Sequence, residues 1–234
     1  MALLWRTLVG ASAGRGRLAG LAGLGVVAVL LGANLGAEAA GGSPDQGADL
    51  VSAYGLSLLV PVVTLVFASS VLGDPSEDGT LVYLWLQPVP RWQLVLTALG
   101  AALTLALPLT VVPLGLAAAA TGSGLGLVTA TVVSCTLGVV AYAGVFAWLG
   151  LRVRRALLWG VLYVLVWEGF VARAGDTVAL LALRTSTRSV LAHLSATTAA
   201  GAESSLLVSV AILLLAGAGG FALAVRRLTR HEVA

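Results

Sequence analysis

Residues 92–151 read WQLVLTALGAALTLALPLTVVPLGLAAAATGSGLGLVTATVVSCTLGVVAYAGVFAWLGL, with no Asp, Glu, Lys or Arg. A single helix of this length would measure about 90 Å at 1.5 Å per residue, roughly three times the thickness of a bilayer's hydrocarbon core. The stretch must therefore turn back on itself, and the glycine-rich sequence TGSGLG at residues 121–126 marks the turn. We predict two membrane-spanning helices here, and hence an all-α integral membrane protein.

The composition of the whole chain supports this fold class. Its 234 residues are 59% hydrophobic and 10% charged, whereas soluble domains are about 25% charged. The apolar runs are continuous, while the strands of a membrane barrel would alternate apolar and polar residues. The isoelectric point near 9.6 does not indicate nucleic-acid binding, because the arginines flank apolar runs and form no separate basic face. The expected environment is the lipid bilayer.

Charged residues divide the chain into six apolar segments, which we predict to be membrane spans. Each long run approaches or exceeds the ~20 residues that a helix needs to cross a bilayer. The membrane domain then covers residues 18–230, between an interfacial segment at 1–17 and a tail at 231–234. The predicted spans are Leu18–Ala37, Leu50–Gly73, Trp92–Ala119, Leu127–Leu151, Ala156–Ala172 and Ser204–Val225.

The arginines indicate the orientation of these spans. Six crossings leave both termini on one side, and that side carries ten of the 13 arginines; the other side carries Arg173, Arg184 and Arg188. By the positive-inside rule both termini are cytoplasmic, and we expect a multi-pass protein of the plasma membrane. The alternative is cleavage after the first apolar run, where Ala37-Glu38-Ala39 resembles a signal-peptidase site. That run is longer than the 7–15 apolar residues typical of a signal peptide.

Residues 1–17 favour a short amphipathic helix in the cytoplasmic interface. Leu4, Trp5 and Leu8 can share one helical face, with Arg6 directed towards lipid phosphates. The alternative is a charged anchor that only fixes the orientation of the first span.

The segment between the second and third spans is the most patterned polar stretch of the chain. Ser76 or Asp78 can cap a short helix that ends before Pro88. Its apolar residues then lie on one face at helical spacing: Leu81, Leu84 and Trp85. A firm cytoplasmic helix between two spans could receive a push from a soluble partner, and the alternative is an ordinary loop lying on the bilayer.

The order Glu77-x-Gly79-Thr80-Leu81…Leu84-x-Leu86-x-Pro88-Val89-x-Arg91 resembles the cytoplasmic loop of ABC-2-type transporter permeases. The resemblance extends to the six spans, the N-terminal interfacial segment and the arginine-rich tail Arg226–Arg230. Two positions depart from the family pattern. Pro90 replaces a common Ser, and Ala98 replaces a Lys that many relatives carry.

The resemblance implies an ATP-driven transporter that exports a hydrophobic or amphipathic substrate. Segment 74–91 would hold a coupling helix, about Glu77–Leu86, that binds a separate cytoplasmic ABC ATPase subunit. ATP and Mg would belong to that subunit, since this chain has no GxxxxGK[ST] motif and is not expected to be an enzyme. A second copy or a sister permease would pair with this one. The residues expected to serve coupling are Glu77, Asp78, Gly79, Thr80, Leu81, Leu84, Trp85, Pro88 and Arg91.

The resemblance also implies that segment 173–203 forms short outer helices that dip back towards the membrane. The apolar runs 178–183 and 190–194 are too short to span, and the polar residues 184–188 separate them. Amphipathic helices resting at the outer surface satisfy both facts. Re-entry is permitted only where protein or water covers the backbone, and a lid without a role in transport is the alternative.

Glu168 is the acidic residue inside a predicted span, where an ionisable group usually faces a partner or water. It is predicted either to brace the outer helices through Arg173, Arg184 or Arg188, or to form a polar contact at the extracellular gate. Neither Cys135 nor His193 has neighbours that suggest a metal site, and no catalytic constellation is visible.

Two other classes of function are weighed against the permease. An ion-driven secondary transporter would need charged relays in several spans, and Glu168 offers one. A membrane enzyme or assembly factor would need clustered catalytic side chains at the interface.

Overall fold

Helices form all the regular secondary structure in the computed structural model, which describes residues 2–38, 44–77, 90–168, 182–195 and 204–230. We number them in chain order. The third combines Pro44–Leu50, a π-helical segment Val51–Leu59 and Val60–Glu77, and the sixth combines Ala156–Leu162 with the π-helical Tyr163–Glu168. The helices are α1 (Ala2–Ser12), α2 (Arg15–Glu38), α3 (44–77), α4 (Arg91–Ala120), α5 (Leu125–Arg152), α6 (156–168), α7 (Leu183–Ser195) and α8 (Leu206–Arg230).

Five of these helices are long and apolar enough to cross a membrane: α2, α3, α4, α5 and α8. They coincide with the first four predicted spans and the last one, which confirms a multi-pass helical protein. The helix ends fall close to the predicted boundaries because Arg15, Arg91 and Arg152 stand at three of them. A charged side chain in the hydrocarbon core costs several kcal/mol, so arginine is a strong boundary signal.

The fifth predicted span corresponds to α6. Its apolar part, Ala156–Val166, is shorter than the five long helices. Residues 169–172 of the predicted span lie outside the described residues, so the length of this crossing stays a prediction.

The predicted turn between the third and fourth spans is confirmed at residues 121–124. Gly122 and Gly124 have φ values of 72° and 89°, a region of backbone conformation that glycine enters without a steric penalty. The hydroxyls of Thr121 and Ser123 lie 2.9 Å apart across the turn, and that of Thr121 donates to the carbonyl of Ala118 at 2.7 Å.

Contacts between the helices establish two ends of the bundle. At one end the start of α2 meets the end of α3, where Arg17 binds Asp74, and Gly73 lies close to Gly150 of α5. We call this the basic end. At the opposite end Gly36 of α2 approaches Ala120 of α4.

Helix α5 lies at the centre of the bundle and packs against α3, α4, α7 and α8. Glycines permit the closest approaches: a Cβ added at Gly150 would lie 2.5 Å from the carbonyl oxygen of Ser69, and one added at Gly144 would lie 2.9 Å from the Cα of Gly217. Such small-residue contacts are typical of helix association in membranes. There the hydrophobic effect does not favour contact between helices, and close packing of their backbones stabilises the association instead.

The direction of α8 follows from its contacts with α5. Gly217 lies beside Ala141, and Gly220 lies beside Gly144, so the two helices are parallel and both end at the basic end. Helix α6 begins at the basic end, because Ala156 lines the same cavity as Asp74. Helices α6 and α8 therefore begin at opposite ends of the bundle.

Candidate functional site

An ion pair joins two helices at the basic end. Nη1 of Arg17 lies 3.1 Å from Oδ2 of Asp74, and the side chains are 40% and 48% exposed. An exposed pair of this kind contributes about 0–1 kcal/mol to stability. The pair nevertheless shows that the start of α2 lies beside the last turns of α3.

A cavity of about 410 Å³ opens beside this pair, between α2, α3 and α6. We call it the basic-end cavity. Arg155, which has a left-handed backbone conformation with φ 59°, is a second arginine among its lining residues. The lining residues are Arg17, Ser69, Gly73, Asp74, Arg155, Ala156, Leu157 and Leu158.

The predicted coupling residues fall mainly between the described parts of the chain. Glu77 is the last residue of α3, and Arg91 is the first residue of α4, preceded by Pro90 in an extended conformation with ψ 141°. The side chain of Glu77 is not described. The other predicted coupling residues lie outside the described residues: Asp78, Gly79, Thr80, Leu81, Leu84, Trp85 and Pro88.

The helix that leads into this segment is firmly held. A Cβ added at Gly73 would lie 3.3 Å from the carbonyl oxygen of Gly150, so the last turns of α3 pack directly on the backbone of α5. Phe67 and Leu72 are fully buried in the same part of α3. The last turns of α3 and the backbone of α5 are therefore closely packed at the basic end.

The outer segment contains one described helix, α7, and this helix packs inside the bundle. Ser186, Thr187 and Ser189 are all at most 1% exposed. The Cγ2 of Thr187 lies 3.0 Å from the position of a Cβ added at Gly138, and Val60 of α3 borders the same position at 3.3 Å. Gly138 is half-way along α5, so α7 reaches the middle level of the bundle.

This arrangement corrects the expected division of the outer segment. The polar residues 184–188 were expected to separate two apolar stretches lying at the surface, but they belong to the first turns of α7. The physical reason is that Ser and Thr hydroxyls can bond to the backbone of the preceding helical turn. The Thr187 hydroxyl donates to the carbonyl of Arg184 at 2.8 Å, so this polar side chain can be buried without losing its hydrogen bond.

The charged residues of the outer segment are only partly described. Arg184 and Arg188 are half-buried and one turn apart on α7, and the Nε of Arg188 is buried without a hydrogen-bond partner among the described residues. Glu168 is the last residue of α6, but its side chain is not described, and Arg173 lies outside the described residues. The predicted brace between Glu168 and these arginines remains a prediction.

The C-terminal end of α7 contacts the segment that leads into α8. Nε2 of His193 lies 2.9 Å from the backbone oxygen of Ser204, which gives His193 a structural contact. Cys135 is buried in α5. Within the described ranges, no group of three or more His, Cys, Asp or Glu side chains could hold a metal ion.

Sequence reasoning missed the basic-end cavity and the packing of α7 on Gly138. The cavity joins parts of three helices that are more than 50 positions apart in the sequence, and single apolar runs carry no information on such pairing. A signal for the second feature was available, because Gly138 interrupts an otherwise bulky part of α5 and the serines and threonines of α7 recur at helical spacing.

No protein-family model matches the sequence, and no curated protein matches it significantly.

Proposed function

We propose that this chain is the membrane-spanning permease subunit of an ATP-driven ABC transporter. It would lie in the plasma membrane with both termini in the cytoplasm, and would export a hydrophobic or amphipathic substrate. The observation that carries the proposal is the pair of firm helices, α3 and α4, that flank the segment whose sequence resembles the coupling loop of ABC-2-type permeases.

The length of α3 supports a role in coupling. Its 34 residues, from Pro44 to Glu77, correspond to about 51 Å at 1.5 Å per residue. A bilayer's hydrocarbon core is about 30 Å thick, so the helix is long enough to emerge from the membrane. Its basic end is packed on α5 through Gly73 and Gly150, and a force applied beyond Glu77 would reach the core of the bundle.

The packing of α7 supports the outer half of the same proposal. A 13-residue helix is about 20 Å long, too short to cross the membrane. It can still enter the bundle, because the protein covers its backbone. In the proposed permease, α6 and the residues after it, to Ala172, form the fifth of six crossings, and α7 is the re-entrant helix that closes the outer side.

The partners follow from the same proposal. A cytoplasmic ABC ATPase subunit would hold ATP and Mg, and its binding surface would receive residues 77–86 of this chain. A second permease, either a copy or a sister chain, would complete the transporter. This chain would bind no cofactor of its own.

The proposal is tested by isolating the tagged full-length chain from native membranes in a mild detergent. We expect a soluble subunit that is labelled by a photoreactive ATP analogue to co-purify, and Glu77→Arg and Asp78→Arg to reduce that subunit strongly. The matched control is Asp49→Arg, at an exposed position of α3 near the opposite end. Equal recovery of the subunit with all three variants would exclude coupling at residues 77–86, and transport by the chain without any ATPase would favour an ion-driven transporter.

A further inference from the structure

Arg188 lies deep inside the bundle. It follows Thr187, whose Cγ2 lies 3.0 Å from the position of a Cβ added at Gly138. Helix α5 runs from Leu125 to Arg152, so Gly138 is about 20 Å from either end of it at 1.5 Å per residue. The backbone of Arg188 is therefore near the middle level of the bundle.

The guanidinium of Arg188 forms no salt bridge with any side chain that the structure describes. The residue is half-buried, and its Nε is buried without a hydrogen-bond partner among the described residues. The described acidic side chains lie at the ends of the bundle. Asp45 and Asp49 are in the first turns of α3, beside the turn between α4 and α5, and Asp74 is at the basic end. Arginine stays charged in proteins, and an ionisable residue at this depth usually marks a substrate or ion pathway.

The surroundings of Arg188 indicate the chemistry of its ligand. The hydroxyl of the adjacent Thr187 already donates to the carbonyl of Arg184 at 2.8 Å, so it is not the donor for an anion. A guanidinium carries N–H donors in a planar fork that matches a carboxylate or a phosphate. Fully buried apolar side chains lie at the same level of the bundle: Val60, Val139 and Leu191. A ligand with an anionic group and an apolar body fits both features.

We propose that Arg188 binds the anionic group of the exported substrate, and that this substrate is an anionic amphipathic molecule with a carboxylate or a phosphate. Arginine forms short, charge-assisted and often bidentate hydrogen bonds with these groups. A bound anion would also compensate the charge that the protein alone leaves unpaired. This inference deepens the proposed export function and depends on it for the role of the ligand as substrate, whereas binding itself requires no ATPase.

The test titrates the purified full-length chain in mild detergent with palmitate or with hexadecanol, which has the same apolar chain without the charge. Native mass spectrometry counts the bound ligand. We expect palmitate to bind more tightly than hexadecanol. Arg188→Gln should weaken palmitate binding at least about tenfold, the effect of losing a hydrogen bond to a charged group. The matched control Arg152→Gln removes the same charge at an exposed position at the end of α5 and should leave palmitate binding unchanged.

Thermal unfolding without ligand separates this role from a structural one. Arg188→Gln removes an unpaired charge, so its Tm should equal or exceed that of the unmodified chain, whereas breaking a buried ion pair would lower the Tm. An equal loss of Tm in Arg188→Gln and Glu168→Gln would identify the predicted brace and overturn the proposal. Arg188→Lys keeps the charge and should bind palmitate more tightly than Arg188→Gln does.

Three further outcomes decide the identity of the ligand and the role of the site. Equal palmitate binding by Arg188→Gln and the unmodified chain would overturn the proposal. Palmitate should raise the Tm and excess inorganic phosphate should not, because phosphate has no apolar part; equal stabilisation by both would identify a small-anion site and overturn the amphipathic ligand. Absence of palmitate binding from a chain that still recovers the ATPase subunit would refute the role of Arg188 and leave the permease proposal standing.

Discussion

At the scale of single residues, adjacent glycines of α8 have opposite surroundings. A Cβ added at Gly220 would lie 2.6 Å from the backbone nitrogen of Val145 and still closer to Gly144, whereas one added at Gly219 meets no atom within 4 Å. The same residue type is thus required at one position and optional at the next. The reason is the contact between α5 and α8, which the sequence of α8 alone does not reveal.

Gly220→Ala is therefore expected to destabilise the protein by about 1–3 kcal/mol, the usual cost of overpacking a well-packed interior. Gly219→Ala is the matched control and should be neutral or stabilising by up to ~1 kcal/mol, because alanine is a better helix former than glycine. Thermal unfolding of both variants in detergent measures the difference. Equal Tm values for the two would show that α5 and α8 do not meet at Gly220.

The Arg17–Asp74 pair gives a second expectation at this scale. Both side chains are about half exposed, so water screens their attraction. A double-mutant cycle with Arg17→Gln and Asp74→Asn in lipid-free detergent should give a coupling energy of about 0–1 kcal/mol. A coupling well above that range would mean that the pair is desolvated in the folded protein.

At the scale of elements, the sequence predicted the long helices better than the short one. Arg15, Arg91 and Arg152 delimit the spans because charge is excluded from hydrocarbon, and TGSGLG marks a turn because two of its glycines have positive φ. The position of α7 could not be read in the same way. A buried helix with hydroxyls bonded to its own backbone has the composition of a surface segment.

Packing of α7 on Gly138 leads to a prediction for that element. Gly138→Val would place methyl groups where Thr187 and Val60 already lie, so α7 should be displaced from the bundle. The test uses a Cys135→Ala background and a membrane-impermeant maleimide. Ser189→Cys should be labelled slowly, because position 189 is buried. Adding Gly138→Val should raise this labelling rate towards the rate measured for Leu194→Cys, at an exposed position of the same helix.

The control for this experiment is Gly126→Val, since a Cβ at Gly126 of α5 meets no atom within 4 Å. This substitution should leave the labelling of Ser189→Cys slow. Rapid labelling of Ser189→Cys without any substitution in α5 would contradict the buried position of α7.

At the scale of the whole molecule, the order of the helices gathers arginines at one end. The start of α2 and the ends of α5 and α8 all lie at the basic end, as their contacts with neighbouring helices require. This arrangement could be anticipated from the sequence, because the predicted six spans put ten of the 13 arginines on one side. The partner and the substrate cannot be predicted from the sequence in this way. Apolar surfaces that contact lipid, a transported substrate or another subunit have the same amino-acid composition.

The central claim is that residues 77–86 transmit movement from a separate ATPase to the bundle. The most direct measurement is site-specific photocross-linking in native membranes, with a photoreactive amino acid in place of Leu84. The control carries the same amino acid in place of Leu207, which is exposed at the start of α8, away from the basic end. We predict that position 84 cross-links to a subunit that also binds a labelled ATP analogue, and that position 207 does not. A chain that transports cargo while position 84 forms no cross-link to any nucleotide-binding subunit would contradict the account.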